Sequence, residues 1–145
     1  MNYLKDPNFL RQLIMDHYQY PRNKREEAGY ATLQISTDSC IDDITVQALI
    51  EDDVIQDIAF TGTACTIATS SVSIMSELLK GKTTEEARHL IGQFNAMLKM
   101  KEFDEEAMGE AIALRNVSRQ PHRIHCADLG WRALSSILDK EDSHE

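Results

Sequence analysis

Ile44-Thr45-Val46-Gln47-Ala48-Leu49-Ile50-Glu51-Asp52-Asp53-Val54-Ile55-Gln56-Asp57-Ile58-Ala59-Phe60-Thr61-Gly62-Thr63-Ala64-Cys65 is the stretch whose periodicity sets the fold. Ile44, Val46, Ala48 and Ile50 alternate with other residues, the period of a half-buried strand. Val54, Ile58 and Phe60 alternate in the same way across one polar gap at Gln56. The two runs predict a hairpin turning at Glu51-Asp52-Asp53. Beyond Gly62 the spacing becomes helical, at Ile67, Ala68, Ser71, Val72, Met75, Leu78 and Leu79, and Gly81 stands just past the end of that run, where glycine closes helices.

Working outward, Tyr30 to Ser36 is short, carries Thr and Ile and is flanked by breakers, which predicts a third strand. Asp6-Pro7 reads as an N-cap followed by proline in the first helical turn, and Phe9, Leu10, Leu13, Ile14, His17 and Tyr18 continue at helical spacing until Pro21. On the other side, Thr83-Thr84-Glu85-Glu86 supplies a capping box for a helix to about Met97. A polar segment, Lys99 to Glu106, precedes a short helix near Ala107 to Leu114. Pro121 opens a final helix carrying Ile124, Ala127, Leu129, Trp131, Leu134, Ile137 and Leu138, and the charged residues 139–145 read as a disordered tail. Strands followed by a run of helices predict an α+β fold: a three-stranded antiparallel sheet with helices packed on one face, in a single domain spanning 1–145.

With 24 acidic against 15 basic residues the net charge is −9. That balance argues against nucleic acid or an anionic membrane as partner, since both need Lys and Arg to neutralise phosphates. A protein partner with a basic patch is the expectation. No stretch reads as a secretion signal or a membrane span, so the expected location is the cytoplasm. The composition leaves the oligomeric state open.

In a reducing compartment the three cysteines, Cys40, Cys65 and Cys126, do not read as a disulfide framework. Each has a context suited to a bound thiolate. Asp42 follows Cys40 by two residues. Cys65 lies between Gly62 and the start of a helix, where exposed N–H groups and the helix dipole favour thiolate. Arg123 and His125 precede Cys126. Three soft sulfurs, a carboxylate and an imidazole are enough for a tetrahedral zinc or an iron–sulfur cluster. The separations of 25 and 61 residues between successive cysteines exclude a zinc finger or ribbon, whose ligands come in close pairs. Spacing alone therefore does not gather them, and a free cysteine also serves as a small buried hydrophobe. His17, on the apolar face of the first helix, reads as a packing residue, and His89, His122 and His144 as surface residues.

Three stretches carry a resemblance: Gly62-Thr63-Ala64-Cys65-Thr66-Ile67-Ala68-Thr69-Ser70-Ser71, Leu79-Lys80-Gly81-Lys82-Thr83, and Arg123-Ile124-His125-Cys126-Ala127-Asp128-Leu129-Gly130-Trp131-Arg132-Ala133-Leu134. With His17-Tyr18-Gln19-Tyr20-Pro21-Arg22-Asn23, they make the chain similar over nearly its whole length to the U-type iron–sulfur cluster assembly proteins, the family of NifU N-terminal domains, IscU and SufU. The long interval before Cys126 and the Trp131 segment resemble the SufU branch, which has an insertion there. The resemblance implies a SufE/NifU-like fold, with Cys40, Asp42, Cys65 and Cys126 as metal ligands and Zn2+ as the metal. It implies a persulfide carrier and not a hydrolytic enzyme: Cys40 accepts sulfur from a pyridoxal-phosphate cysteine desulfurase and passes it to iron–sulfur assembly machinery. Cys126 is the acceptor that the IscU resemblance supports. Arg123 would steer or stabilise the persulfide. The alternatives are a scaffold for a transient [2Fe-2S] cluster, holding iron, and a divergent regulatory paralogue.

Two positions depart from the family pattern. Members read Asn-Pro-x-Cys-Gly-Asp around the first cysteine, and this chain has Thr37-Asp38-Ser39-Cys40-Ile41-Asp42, with Ile41 in place of glycine. His125 matches IscU, where SufU proteins tend to have lysine, and offers an alternative ligand that tilts the site toward cluster assembly.

Overall fold

The hairpin is built on two consecutive left-handed residues, Asp52 (φ 53°) and Asp53 (φ 61°), so that Glu51 pairs with Val54 across a tight turn. Positive φ at both central positions is the type I′ geometry, whose twist matches that of the flanking strands, and aspartate tolerates it better than most residues. In the computed structural model, which describes residues 3–37 and 41–142, the turn joins β2 (Asp43–Glu51) to β3 (Val54–Thr63), and β1 (Ala31–Ser36) pairs antiparallel on the far side of β2. The sheet order is β1-β2-β3.

The register shifts between Leu49 and Ile50: Leu49 faces Asp57 and Ile50 faces Ile55, which leaves Gln56 as an extra residue in β3. This bulge explains the polar gap in the sequence. It flips the alternation, so Ile55 is buried with Ile58 and Phe60 while Val54 is only half-buried, against the expected pattern. The outer edge of β3 is closed by two segments: Phe60 exchanges backbone hydrogen bonds with Asn23 and Arg25, and Ile55 with Gly81 and Lys82.

The helices are α1 (Pro7–Gln19), α2 (Thr66–Leu79), α3 (Thr84–Leu98), α4 (Glu105–Met108) and α5 (Pro121–Asp142). Asp6 caps α1, accepting from the Asn8 N–H, and Thr83 with Glu86 forms the reciprocal capping box of α3. α5 packs against β1 and β2, α2 against β3 and α5, and α1 against α2. The α+β architecture with helices on one face of a three-stranded sheet is thus the observed one.

Two elements differ from expectation. The short helix near 107–114 is instead α4 followed by an eleven-residue 3₁₀ segment, Gly109–Arg119. α5 also continues through Asp142, into residues read as a disordered tail, because Arg88 of α3 holds both Asp139 (2.6 Å) and Asp142. Charge composition alone hid that cross-helix pairing.

The α2–α5 contact organises the core. Trp131, fully buried, stacks on Phe94 with ring centroids 3.9 Å apart and donates its N–H to Ser71 Oγ at 3.0 Å. Ser71 in turn donates to the carbonyl of Ala127. A Cβ on Gly130 would lie 2.7 Å from Val72 Cγ2 and 2.9 Å from Val72 Cβ, so the helices meet where only a hydrogen fits. His17 is a satisfied core residue, with Nδ1 2.8 Å from Ser73 Oγ and Nε2 3.2 Å from Glu110 Oε1.

Gly130→Ala is accordingly expected to destabilise the protein by about 1–3 kcal/mol, the usual range for overpacking, read as a fall in the urea midpoint with unchanged slope. Adding Val72→Ala to it should recover part of the loss; a double variant whose losses simply add would contradict the contact. A second expectation concerns acid. Partial burial raises the Asp57 carboxyl, but hydrogen bonds from Tyr30 and Lys80 and the Arg25 guanidinium outweigh it and hold the pKa below the ordinary value. Since the folded pKa is depressed, this network's stability is present above the unfolded pKa of about 3.9 and is lost as pH falls through the folded one. Asp57→Asn should flatten the acid limb of a stability–pH curve, and an unchanged limb would contradict the assignment.

Candidate metal centre

Gly62 sets the site's position. Its φ of 122° lies in the region that L residues avoid, and a Cβ there would stand 2.1 Å from the carbonyl oxygen of Asp43. The end of β3 therefore presses directly on the start of β2. That contact brings Asp42, one residue before β2, beside Cys65, three residues beyond Gly62.

Asp42 is buried, at 1% exposure, and its carboxylate is anchored. Oδ1 accepts the backbone N–H of Cys65 at 2.7 Å, and Oδ2 lies 3.6 Å from Cys65 Sγ. Its carbonyl accepts the N–H of Thr37 at 3.2 Å, closing the ends of the loop that contains the first cysteine. Cys65 is the N-cap of α2: its φ and ψ of −67° and 171° are extended, and its sulfur accepts the Ala68 N–H at 3.4 Å. A sulfur in that position faces the N–H groups at the start of the helix, where a side-chain acceptor satisfies one of them.

Cys126 comes from the second turn of α5 and is 3% exposed. The Ser71 hydroxyl, bonded to the carbonyl of Ala127, registers this turn against α2. Burial pushes the Cys126 thiol well above the ordinary cysteine value, reinforced by the Asp42 carboxylate and the Cys65 sulfur beside it. The donor atoms of Asp42, Cys65 and Cys126 all lie within 4.8 Å of one another. Three groups that are anionic when deprotonated converge in a largely buried space, where like charges are unfavourable unless a cation is among them. A divalent cation reverses that balance by drawing both sulfurs to thiolate, so the donor set fits a metal ion.

Among the other candidates, Cys40 lies outside the described residues, as do Asp38, Ser39 and His144. Ile41 is 71% exposed, so the isoleucine in place of glycine points its side chain to solvent. His125 is exposed and does not join the donor group; the neighbouring Asp128 is paired with Arg132 at 3.0 Å. Arg123 is half-buried in the first turn of α5, one turn before Cys126. His89 and His122 are exposed. The sequence reading missed that Asp42 is clamped to the backbone of Cys65 and that Ser71 aligns Cys126. Glycine three residues before a helix-capping cysteine is a signal for the first; nothing local signals the second.

Residues 10–140 match the family described as NifU-like N terminal domain. The chain is 37% identical over 133 residues to the zinc-dependent sulfurtransferase SufU of Bacillus subtilis (strain 168), covering 91% of this chain and 90% of that protein. It is 34% identical over 129 residues to the iron–sulfur cluster assembly scaffold protein IscU of Streptococcus pyogenes serotype M1, covering 88% and 81%. Among solved structures, one assigned as an iron–sulfur cluster assembly scaffold protein for the SUF system, from Fervidobacterium islandicum AW-1, superposes with a TM-score of 0.84 at 30% identity, covering 88% of this chain and 94% of that one.

Substitutions at Asp42 separate its two roles. Asp42→Asn keeps an oxygen for the Cys65 N–H and removes the charge, so the metal-free protein should retain its melting temperature while metal affinity falls. Asp42→Ala leaves that N–H unpaired and should also destabilise the metal-free protein by about 1–3 kcal/mol. Equal melting temperatures for the two metal-free variants would rule out the clamp.

Proposed function

The chain belongs to the NifU-like N-terminal domain family, and from that premise we propose that it is a zinc-dependent persulfide acceptor in iron–sulfur cluster assembly. Its sulfur donor is a pyridoxal-phosphate cysteine desulfurase. The observation that carries this reading is the convergence of Asp42, Cys65 and Cys126 within 4.8 Å. Cys40 is the fourth ligand proposed. Two peptide units separate it from Asp42, which keeps their Cα atoms within about 7.6 Å. Three thiolates and a carboxylate fill a tetrahedral zinc shell with no position for water, so the bound metal supplies thiolate stabilisation and not hydrolysis.

Transfer requires one cysteine thiolate to attack the terminal sulfur of the partner's persulfide. A new S–S bond forms on the acceptor, the old one breaks, and the partner's cysteine leaves as thiolate. Cys126, at 3% exposure, is a poor target for an incoming persulfide, and Cys65 is held by the helix start and by Asp42. These constraints favour Cys40 as acceptor. Arg123, half-buried one turn before Cys126, is the cation assigned in this reading to attract the anionic persulfide. The scaffold reading, in which the same donors hold a [2Fe-2S] cluster, draws on the likeness to IscU but gains nothing from His125, which is exposed and outside the donor group. The regulatory-paralogue reading draws only on the altered Cys40 loop.

Elemental analysis of the protein purified without added metal should find about one zinc per chain and no acid-labile sulfide. Iron with sulfide would replace this reading with the scaffold. The wild type should accelerate desulfurase turnover and Cys40→Ala should not. Persistent acceleration by Cys40→Ala would reject Cys40 as acceptor. Arg123→Ala should slow sulfur transfer while leaving zinc content unchanged.

A further inference from the structure

The segment between α3 and α5 contributes nothing to the metal centre, yet it walls a groove. One cavity of about 870 Å³ has Leu4, Pro7, Leu10 and Ile112 as its apolar part and Lys5, Arg115 and Arg119 among its charged residues. Arg115, Asn116 and Arg119 also wall a second space of about 200 Å³ that reaches Met97, Lys101 and Phe103. Arg115 and Phe103 continue into a third, of about 440 Å³, with Met100 and Lys101. Arg115 lines all three, and these adjoining spaces form the groove. Arg115, Asn116 and Arg119 are exposed residues of the 3₁₀ segment, which turns its buried side to the core.

The groove's charge departs from that of the protein. Four basic side chains line it, Lys5, Lys101, Arg115 and Arg119, against three acidic ones, Glu102, Glu105 and Glu106, in a chain with a net charge of −9. Arg115 pairs with Glu105 at 2.9 Å and lies 5.3 Å from the centroid of the Phe103 ring, which fixes the middle of the wall. Lys5, Lys101 and Arg119 enter no ion pair among the described residues. At one end Met100 is 68% exposed and adopts φ 58°, a left-handed conformation that is uncommon outside glycine. An exposed, pliable methionine suits an adaptable contact surface.

We propose that this groove docks an extended acidic segment of a partner protein. The partner's apolar side chains seat on Leu4, Leu10 and Met100, and its carboxylates meet Lys5, Lys101 and Arg119. Opposite charge across the contact supplies orientation and salt dependence. This inference is independent of the metal centre and of sulfur transfer.

The test is fluorescence anisotropy with a labelled synthetic peptide of alternating glutamate and leucine, about eight residues and so roughly 27 Å when extended. The comparison peptide has lysine for glutamate. The acidic peptide should bind at low salt and weaken as salt rises, and the lysine peptide should not bind. Lys5→Glu combined with Arg119→Glu should weaken the acidic peptide at least tenfold, about 1.4 kcal/mol, with metal content and melting temperature retained. Lys82→Glu, away from the groove, should leave affinity unchanged. Equal binding of both peptides, no response to the double charge reversal, or no binding up to about millimolar concentration would overturn the proposal. Binding that appears only after deletion of residues 143–145 would assign the groove to the chain's own acidic end and overturn the partner reading.

Discussion

The close contact between α2 and α5 is the constraint on which the rest depends. Gly130 admits the Val72 side chain, and the Trp131–Ser71–Ala127 hydrogen bonds fix how far one helix is slid along the other. Directional bonds matter here because apolar packing alone is nearly indifferent to a small axial slide, whereas a buried indole N–H or hydroxyl without a partner costs about 1–3 kcal/mol. Cys65 caps the start of α2, and Cys126 precedes Ala127 by one residue. The bonds that lock the core therefore also set the distance between two sulfurs that are 61 residues apart in sequence.

Asp42 works differently. A carboxylate two residues from a cysteine suggests a labile oxygen ligand, but the structure anchors one of its oxygens on the Cys65 backbone and buries the residue. Only the second oxygen faces the sulfur. The carboxylate is thus oriented before any metal arrives, and the site needs little reorganisation to receive one. Burial and mutual repulsion keep the Cys126 thiol protonated in the absence of a cation, so occupation and deprotonation are coupled. Mobility at this centre has to come from elsewhere than Asp42.

What could be read from the sequence was what short-range rules decide. The Asp6 and Thr83 caps, the Asp52-Asp53 turn and the end of α2 near Gly81 depend on a few neighbouring residues, and each stands where those residues put it. The bulge at Gln56 was visible as a gap but not as an inversion of faces, because alternation is counted along one strand and a bulge is defined against its partner. The buried serines of α2 were harder: Ser71 falls in the buried helical run, but that Ser71, Ser73 and Ser76 pair with Trp131, His17 and Asn23 depends on contacts distant in sequence. The same limit applied to the site. Residue types named the candidate ligands, but the convergence of Asp42, Cys65 and Cys126 rests on helix packing that no spacing encodes, and His125 was separated from them only by the direction in which its side chain leaves α5.

The interval before Cys126 shows how a local irregularity acquires a use. Gly109, with φ 49°, leaves the right-handed helical region and ends α4, and the chain goes on as a 3₁₀ segment. Buried Ala111, Ile112, Leu114 and Val117 still hold that segment to the core. Arg115 and Arg119 are left exposed away from that core, in a protein whose charge is otherwise dominated by carboxylates. A surface that carries four basic side chains on a molecule of net charge −9 orients a charged partner before shape is tested at contact.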